Sequence, residues 1–497
     1  MLNMTKEVLF EERYRPQIHF TPVSNWLNDP NGMVYYNGEY HLFYQHHPED
    51  SLWGPMHWGH AISTDLIHWE HMPIALKPDH NGMIFSGSAV VDWEDTSGFF
   101  SGGHGLVVIY TSAKKIPDTE DLYTQTQSLA FSTDNGRTWV QYEGNPVLID
   151  EECLDFRDPK VFWHEEQKKW VMALVVADHV RFYESFNLTD WKLTGQFGRD
   201  SGSHDGVWEC PDLFELSVDG DPSNKKWVLI VSIGDRSDLV EGSRTQYFIG
   251  HFDGNTFHND HSPETILWFD YGRDNYAGVT WSDIEKNDGR RIFIGWMSNW
   301  KYARLTPTSV WRGAMTLPRV LSLVTTEQVI RLAQTPVEEL QVLRTDSTSL
   351  DGLNFNDIYP FQSDVCELEI EVAWEPGVEQ FGFALCSSAE EKTIISMDVS
   401  TNMLIVDRTQ SGEVDFHPNF SCKHEAQLFS EASELKLRLF LDRSSIEIFA
   451  NNGTTVVTDL IFPKHPLQYL ETFARGGKVD IKKMTLHELQ SVYKLKD

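Results

Sequence analysis

Ser63-Thr64-Asp65-Leu66-Ile67-His68-Trp69 is a polar turn that runs into an aromatic residue, and the chain repeats it. It returns as Ser132-Thr133-Asp134-Asn135-Gly136-Arg137-Thr138-Trp139 and as Ser185-Phe186-Asn187-Leu188-Thr189-Asp190-Trp191. A weaker echo is Phe252-Asp253-Gly254-Asn255-Thr256-Phe257. The closing aromatics Trp69, Trp139, Trp191 and Phe257 lie 70, 52 and 66 residues apart. That spacing suits four-stranded propeller blades with insertions. Between the echoes stand short apolar runs, such as 40–44, 106–110, 170–176 and 227–231, mostly bounded by Gly, Asp, Asn or Pro. Such runs read as strand, turn, strand, and long helical periodicity is nearly absent. Four echoes plus the segment out to about Pro318 predict a five-bladed β-propeller over residues 1–330. The competing reading is coincidence among common turn residues, because the period is irregular.

The grammar changes at 327–343. Thr335-Pro336-Val337-Glu338-Glu339-Leu340-Gln341-Val342-Leu343 has a Thr-Pro start and helical spacing, which predicts a short helix in a linker over 331–345. Beyond Asp346 apolar and polar residues alternate again, as in strands with one buried face. Leu437-Arg438-Leu439-Phe440-Leu441-Asp442 and Ile446-Glu447-Ile448-Phe449 flank the turn Arg443-Ser444-Ser445. This predicts a β-sandwich over 346–497 and an all-β chain.

Composition narrows the function classes. At 497 residues two domains are expected, and 40% apolar residues suffice for packed interiors. A net charge of −33 repels phosphate backbones and anionic bilayers, so neither nucleic acid nor membrane is an expected partner. The 17 Trp, 16 Tyr and 29 Phe favour strands and supply flat platforms for sugar rings. Five widely spaced cysteines without a CxxC pair predict reduced thiols. No HExxH, P-loop or dinucleotide fingerprint occurs, so no metal and no cofactor are expected. Residues 1–15 hold no apolar core of signal-peptide length, and no apolar run is long enough to span a bilayer. The expected location is cytoplasmic, or secreted if a leader has been removed. Monomer and homodimer both remain open.

Three acids stand in constrained settings. Asp29 lies in Trp26-Leu27-Asn28-Asp29-Pro30-Asn31-Gly32, which reads as a sharp turn between two strands. Asp158 lies in Phe156-Arg157-Asp158-Pro159, and Glu209 in Val207-Trp208-Glu209-Cys210-Pro211-Asp212. Pro fixes its own φ and biases the residue before it towards extended geometry. In a radial β architecture, strand ends from different blades converge near the central channel, so these acids can share one pocket. One carboxylate can then attack an anomeric carbon, a second protonate the leaving oxygen and a third steady positive charge. Trp208 and Cys210 are expected to surround Glu209 with low-polarity bulk and raise its pKa. Arg157 is expected to favour an ionised Asp158.

These three segments resemble the acidic motifs of glycoside hydrolase family 32, the β-fructosidases, with Leu27 where Met or Ile is common. The resemblance runs from about Tyr14 to the C-terminus. It implies a five-bladed propeller followed by a sandwich, with Asp29 as nucleophile, Glu209 as general acid/base and Asp158 as transition-state stabiliser. It further implies fructose contacts from Asn28, Gln45, Trp53, Phe85, Ser86 and Arg157, with Tyr276 and Trp296 as weaker matches. The Leu441 to Phe449 segment resembles the sandwich signature of the family, with a structural role. Fine detail, including Met83-Ile84-Phe85-Ser86-Gly87-Ser88 and Gly295-Trp296-Met297-Ser298-Asn299-Trp300, is similar to the levanase and exo-inulinase branch.

The resulting expectation is a retaining exo-β-fructosidase acting on levan, inulin and sucrose. The alternatives are a sucrose-preferring invertase with transfructosylation as a side activity and a non-catalytic fructan-binding protein. Chain-length preference is expected to depend on outer loops such as 118–127 and 235–243.

Overall fold

The computed structural model describes residues 10–493 except 120, 121, 351, 361 and 431. Most of the segment read for a leader, and part of the loop 118–127, lie outside the described residues. The chain is all-β, a propeller followed by a β-sandwich. In the propeller, Asn25–Tyr36, Glu39–His47, His57–Ser63 and Glu70–Leu76 form an antiparallel meander, with Trp311–Arg312 added in parallel at its first strand. Met83–Asp92, Gly105–Lys115, Tyr123–Ser132 and Val140–Gln141 form a second meander. Phe156–His164, Lys169–Val176, His179–Ser185 and Lys192–Phe197 form a third.

A nine-stranded sheet follows. One half runs outward from Trp208–Val218, and the other is built on Tyr276–Thr280, Arg291–Trp296, Arg319–Thr326 and Val329–Pro336. The halves meet at a single parallel pair, Val218 and Leu323.

Each echoed segment connects the third and fourth strands of its run. In the first three, the Asp or Asn side chain accepts from the Ser hydroxyl before it and from backbone N–H groups after it. Asp65 Oδ1 takes Ile67 and His68 N–H, Asp134 Oδ1 takes Thr138 N–H, and Asn187 Oδ1 takes Thr189 and Asp190 N–H. Trp69, Trp139 and Trp191 then donate Nε1–H to the carbonyls of Leu66, Gly136 and Leu188. Asp253 plays the same part with Asn255 and Thr256 N–H. The repeated letters therefore encode a repeated Asx-type turn.

The segment around Asp29 departs from expectation. It is no turn between strands, because Asn25–Tyr36 is one continuous strand and its hairpin turn comes later, at Asn37 and Gly38. Turn-forming residues are tolerated there because the strand is irregular at those positions. Gly32, at φ +55°, passes so close to Phe43 that a Cβ would stand 2.6 Å from its ring.

The sandwich packs two six-stranded antiparallel sheets. One is ordered Arg344–Ser349, Val479–Leu489, Cys366–Trp374, Glu434–Asp442, Ser445–Ala450, Thr455–Leu460. Its core joins Leu368, Ile370, Leu437 and Ile448 to Phe381, Phe383 and Val406 of the other sheet. The Thr335-Pro336 segment closes a strand and is followed by a 3-10 turn, Glu338–Leu343.

Buried charges tie the two parts together. His19 donates from its two ring nitrogens to Asp442 (2.8 Å) and Glu447 (2.9 Å), and Arg319 binds Glu447 at 2.6 Å and Asp270 at 3.1 Å. Arg408 reaches across to Asp274 at 2.6 Å and to the Tyr302 hydroxyl at 2.8 Å. Each buried charge has an opposite partner, as burial requires.

Candidate active site

The innermost strands share one defect. Against its neighbour, each places two residues where the partner has one: Asn28-Asp29, Phe85-Ser86, Asp158-Pro159, Cys210-Pro211 and Ala277-Gly278. Such bulges bend a strand and re-aim its side chains. Pro159 and Pro211 occupy bulge positions, where the missing N–H leaves no ladder bond unmade. Asp158 (φ 63°) and Cys210 (φ 45°) adopt the left-handed region, which side chains other than Gly seldom enter. The bulged backbone at Asp158 and Cys210 thus carries local strain beside the acids.

The first three of these bulges line one cavity of about 390 Å³ through Asn28, Asp29, Phe85, Ser86 and Asp158. Of the residues expected there, Asn28, Asp29, Gln45, Trp53, Phe85, Ser86, Arg157, Asp158 and Glu209 line it. Tyr276 and Trp296 do not. Both are fully buried, Tyr276 beneath Glu209 with its hydroxyl donating to Oε2, and Trp296 behind Trp26 and Trp300. Trp300 takes the wall position, joined by Val207, Gly234, Asp235 and Arg304.

Asp29 is held from both sides. Asn28 Nδ2 donates to Oδ1 at 2.9 Å and the Ser86 hydroxyl to Oδ2 at 2.8 Å. Burial, then the negative charge of Glu209, lift its pKa to about 6, and the two hydrogen bonds oppose the rise. Asp158 is fixed through its backbone, since its N–H donates to Thr111 Oγ1, which in turn donates to Gln127. Gln127 closes the support by donating to the Phe156 carbonyl at 2.7 Å. Sequence carried no sign of Thr111, and it placed Gln127 at the end of the outer loop 118–127, whereas Gln127 is fully buried in the strand Tyr123–Ser132.

Two expectations about the acids change. Arg157 does stand near Asp158, Nε to Oδ2 at 3.9 Å, and pulls its pKa down, yet burial outweighs it and the carboxyl ends above its ordinary range. Arg157 is closer to two other carboxylates, with Nη1 2.5 Å from Asp155 Oδ1 and Nη2 3.0 Å from Glu209 Oε1. Nor is Glu209 enclosed by Trp208 and Cys210. Strand alternation sends Trp208 outward onto His204 and Phe248, and the Glu209 oxygens meet Arg157 and Tyr276 instead.

Cys210 turns inward. Its Sγ lies 3.7 Å from Asp29 Oδ2 and 3.6 Å from Asp158 Oδ2, and its N–H donates to Asp158 at 3.0 Å. Burial and the two acids push the thiol well above its usual pKa, so it remains an S–H that donates towards them. Asn28, Asp29, Ser86, Cys210 and Asp158 thus form one connected polar cluster, which Arg157 extends to Glu209 and Tyr276. Among the described residues, no group of three His, Cys, Asp or Glu is arranged to hold a metal ion, and no helix is long and apolar enough to cross a membrane.

Comparison with known proteins shows the family. Residues 19–336 match the glycosyl hydrolases family 32 N-terminal domain, and residues 328–488 match the glycosyl hydrolases family 32 C-terminal domain. A levanase of Bacillus subtilis (strain 168) is 50% identical across 97% of this chain and 72% of its own length. A levanase of Bacillus sp. (strain L7) is 41% identical across 98% of this chain, which spans 53% of that enzyme. The crystal structure of exo-inulinase from Aspergillus awamori superimposes with a TM-score of 0.88 at 36% identity, covering 97% of this chain and 99% of that one. A shared fold along almost the whole chain, with both family domains in order, makes this protein a glycoside hydrolase, a member of glycosyl hydrolase family 32.

Proposed function

We propose that this chain is a retaining exo-β-fructosidase that removes terminal β-fructofuranosyl units from fructans and sucrose. The observation that carries the reading is the convergence of Asp29, Asp158 and Glu209, from three different sheets, on one small cavity. The levanases and the exo-inulinase named above support the substrate class.

Exposure separates the roles. Glu209 has a side chain 22% exposed, against 7% for Asp158. The acid that exchanges a proton with the leaving group and then with water needs that access, so Glu209 is assigned as general acid/base. Asp29, pinned by Asn28 and Ser86, is aimed before substrate arrives and is assigned as nucleophile. Its oxygen bonds to C2 as the glycosidic bond breaks, and the Glu209 proton passes to the leaving oxygen. Water then gives a proton to Glu209 and its oxygen to C2, releasing Asp29 and leaving fructose with retained configuration. Asp158 steadies the positive charge that develops at the ring between these steps.

We read the nine-stranded sheet as two blades, which gives five; because Val329–Pro336 pairs within the last of them and Arg344–Ser349 within the sandwich, the linker expected over 331–345 narrows to 337–343. The five recurring bulges support that count. Some relatives are named extracellular, so secretion stands beside the cytoplasmic reading, and fractionation of expressing cells separates them. Product analysis on sucrose, inulin and levan tests the activity. Fructose as the sole early product from both polymers is expected; mixed oligosaccharides, or full turnover by an Asp29→Ala chain, would overturn the assignment.

A further inference from the structure

The innermost strands do not end at the active site. Along Phe156–His164, Arg157 and Asp158 line the site, Lys160 follows on the axis, and residues 162–164 line a second cavity. Trp208–Val218 repeats the order, with Glu209 at the site, Asp212 next, and Leu213 and Phe214 at the second cavity. Met83–Asp92 does so too, from Ser86 to residues 90–92. Lys160 plugs the axis between them: its Nζ donates to the Thr280 carbonyl at 2.7 Å and pairs with Asp212 at 3.3 Å. The second cavity therefore occupies the opposite mouth of the propeller. At about 3.3 Å per strand residue, it lies on the order of 15–20 Å from the acids.

This cavity has a volume of about 1000 Å³, against about 390 Å³ for the active site, so it can hold several sugar rings where the latter holds one or two. Its walls present indoles that are fixed in place. Trp93 is 52% exposed, yet its Nε1–H is anchored on Asp283 at 3.0 Å, and the same carboxylate accepts the Val91 N–H. Trp163 Nε1–H is anchored on Glu165 at 2.8 Å, and Trp227 is braced by a parallel His164 ring and by a tilted Phe252 ring. Rings pinned through their N–H groups lose little further entropy when a flat apolar face settles on them. Glu166, Glu94 and Lys286 stand beside the rings and can exchange hydrogen bonds with hydroxyls. Signs of both charges around aromatic platforms suit a neutral, hydroxyl-rich ligand better than an anion or a cation.

We propose that the rear mouth of the propeller is a second carbohydrate-binding site that holds a distant stretch of the same fructan, with Trp93 as its exposed stacking platform. This rests on the fructosidase reading for the identity of the polymer. It gives the enzyme a hold on long substrates that sucrose is too short to use.

The test compares levan and sucrose with the full chain and with Trp93→Ala and Trp93→Phe. Loss of one stacking platform, about 1 kcal/mol, is expected to raise KM for levan about fivefold relative to KM for sucrose. Trp93→Phe is expected to fall between the parent and Trp93→Ala. Retardation of an Asp29→Asn chain in levan-containing gels, with and without Trp93→Ala, reads binding in the absence of turnover. It also separates this inference from the activity: a chain that cleaves nothing but binds levan through Trp93 retains the second site. An unchanged levan-to-sucrose KM ratio, or equal retardation of both chains, overturns the proposal.

Discussion

Replacing Asp29 by Asn separates what the carboxylate does in the reaction from what it costs the fold. The side chain is buried, at 8% exposure, and its pKa is lifted from 3.8 to about 6, by burial first and by Glu209 second. A folded-state pKa above the unfolded value means that the folded chain holds the anion less readily. Below about pH 3.8 both states are protonated and nothing is lost, whereas above about pH 6 the full penalty applies. A shift of about two units at 1.36 kcal/mol each amounts to about 3 kcal/mol at neutral pH. Asn has the same shape without the charge. Its carbonyl can still accept from Asn28, and its NH2 can donate to the Ser86 hydroxyl, so neither neighbour is orphaned. The variant is therefore expected to be more stable than the parent by about 3 kcal/mol at pH 7, with the gain shrinking towards zero at pH 4. Sucrose turnover is expected to disappear. Urea unfolding of both chains at the two pH values measures the gain, and sucrose hydrolysis measures the loss. Equal stability at pH 7, or a gain at pH 4 as large as at pH 7, would refute the argument that burial strains this carboxylate.

Three further outcomes follow from the same geometry. Because Asp29 attacks as an anion and titrates at about 6, kcat/KM for sucrose is expected to fall as pH drops through that value; a flat profile down to pH 4.5 would count against Asp29 as nucleophile. Arg157→Gln removes the cation that Glu209 and Asp158 share and is expected to lower kcat/KM at least ~100-fold, while activity within threefold of the parent would take Arg157 out of the machinery. At the junction of the two parts, burial opposes charge on His19, but Asp442 and Glu447 prevail and raise its pKa from 6.5 to about 9. The stability this supplies, ~3 kcal/mol, is complete below pH 6.5 and lost as pH rises through about 9. The thermal midpoint is expected to fall between pH 6.5 and 9.5, and more shallowly for His19→Gln; parallel curves for the two chains would sink this account.

The sequence by itself determined the elements whose cause is local. The Ser-Thr-Asp turn ending in Trp69 is legible because Asp65 bonds to backbone two and three residues away, so the letters and the geometry sit in one window. Its echoes at Trp139 and Trp191 follow for the same reason. Pro159 and Pro211 marked the acids because a residue without an N–H fits where a ladder bond is missing. Most of the cavity wall was legible through family motifs, with Asn28, Gln45, Trp53, Phe85, Ser86 and Arg157 all reaching it.

Tertiary structure decided everything that depends on which side of a strand faces the axis and on what lies across it. The Asp29 segment reads as a turn, yet pairing with Glu39–His47 makes it a bulged strand. Sequence singled out Trp296 as a wall residue, but packing buries it fully behind Trp26 and Trp300, and Trp300 lines the cavity instead. Arg157 adjoins Asp158 in sequence, but bulge geometry carries its guanidinium to Glu209, 52 residues away. Thr111, Gln127 and the rear cavity left no local signature. Their roles come from convergence of distant strands, and the charge state of the buried acids comes from desolvation, which no short window of sequence can specify.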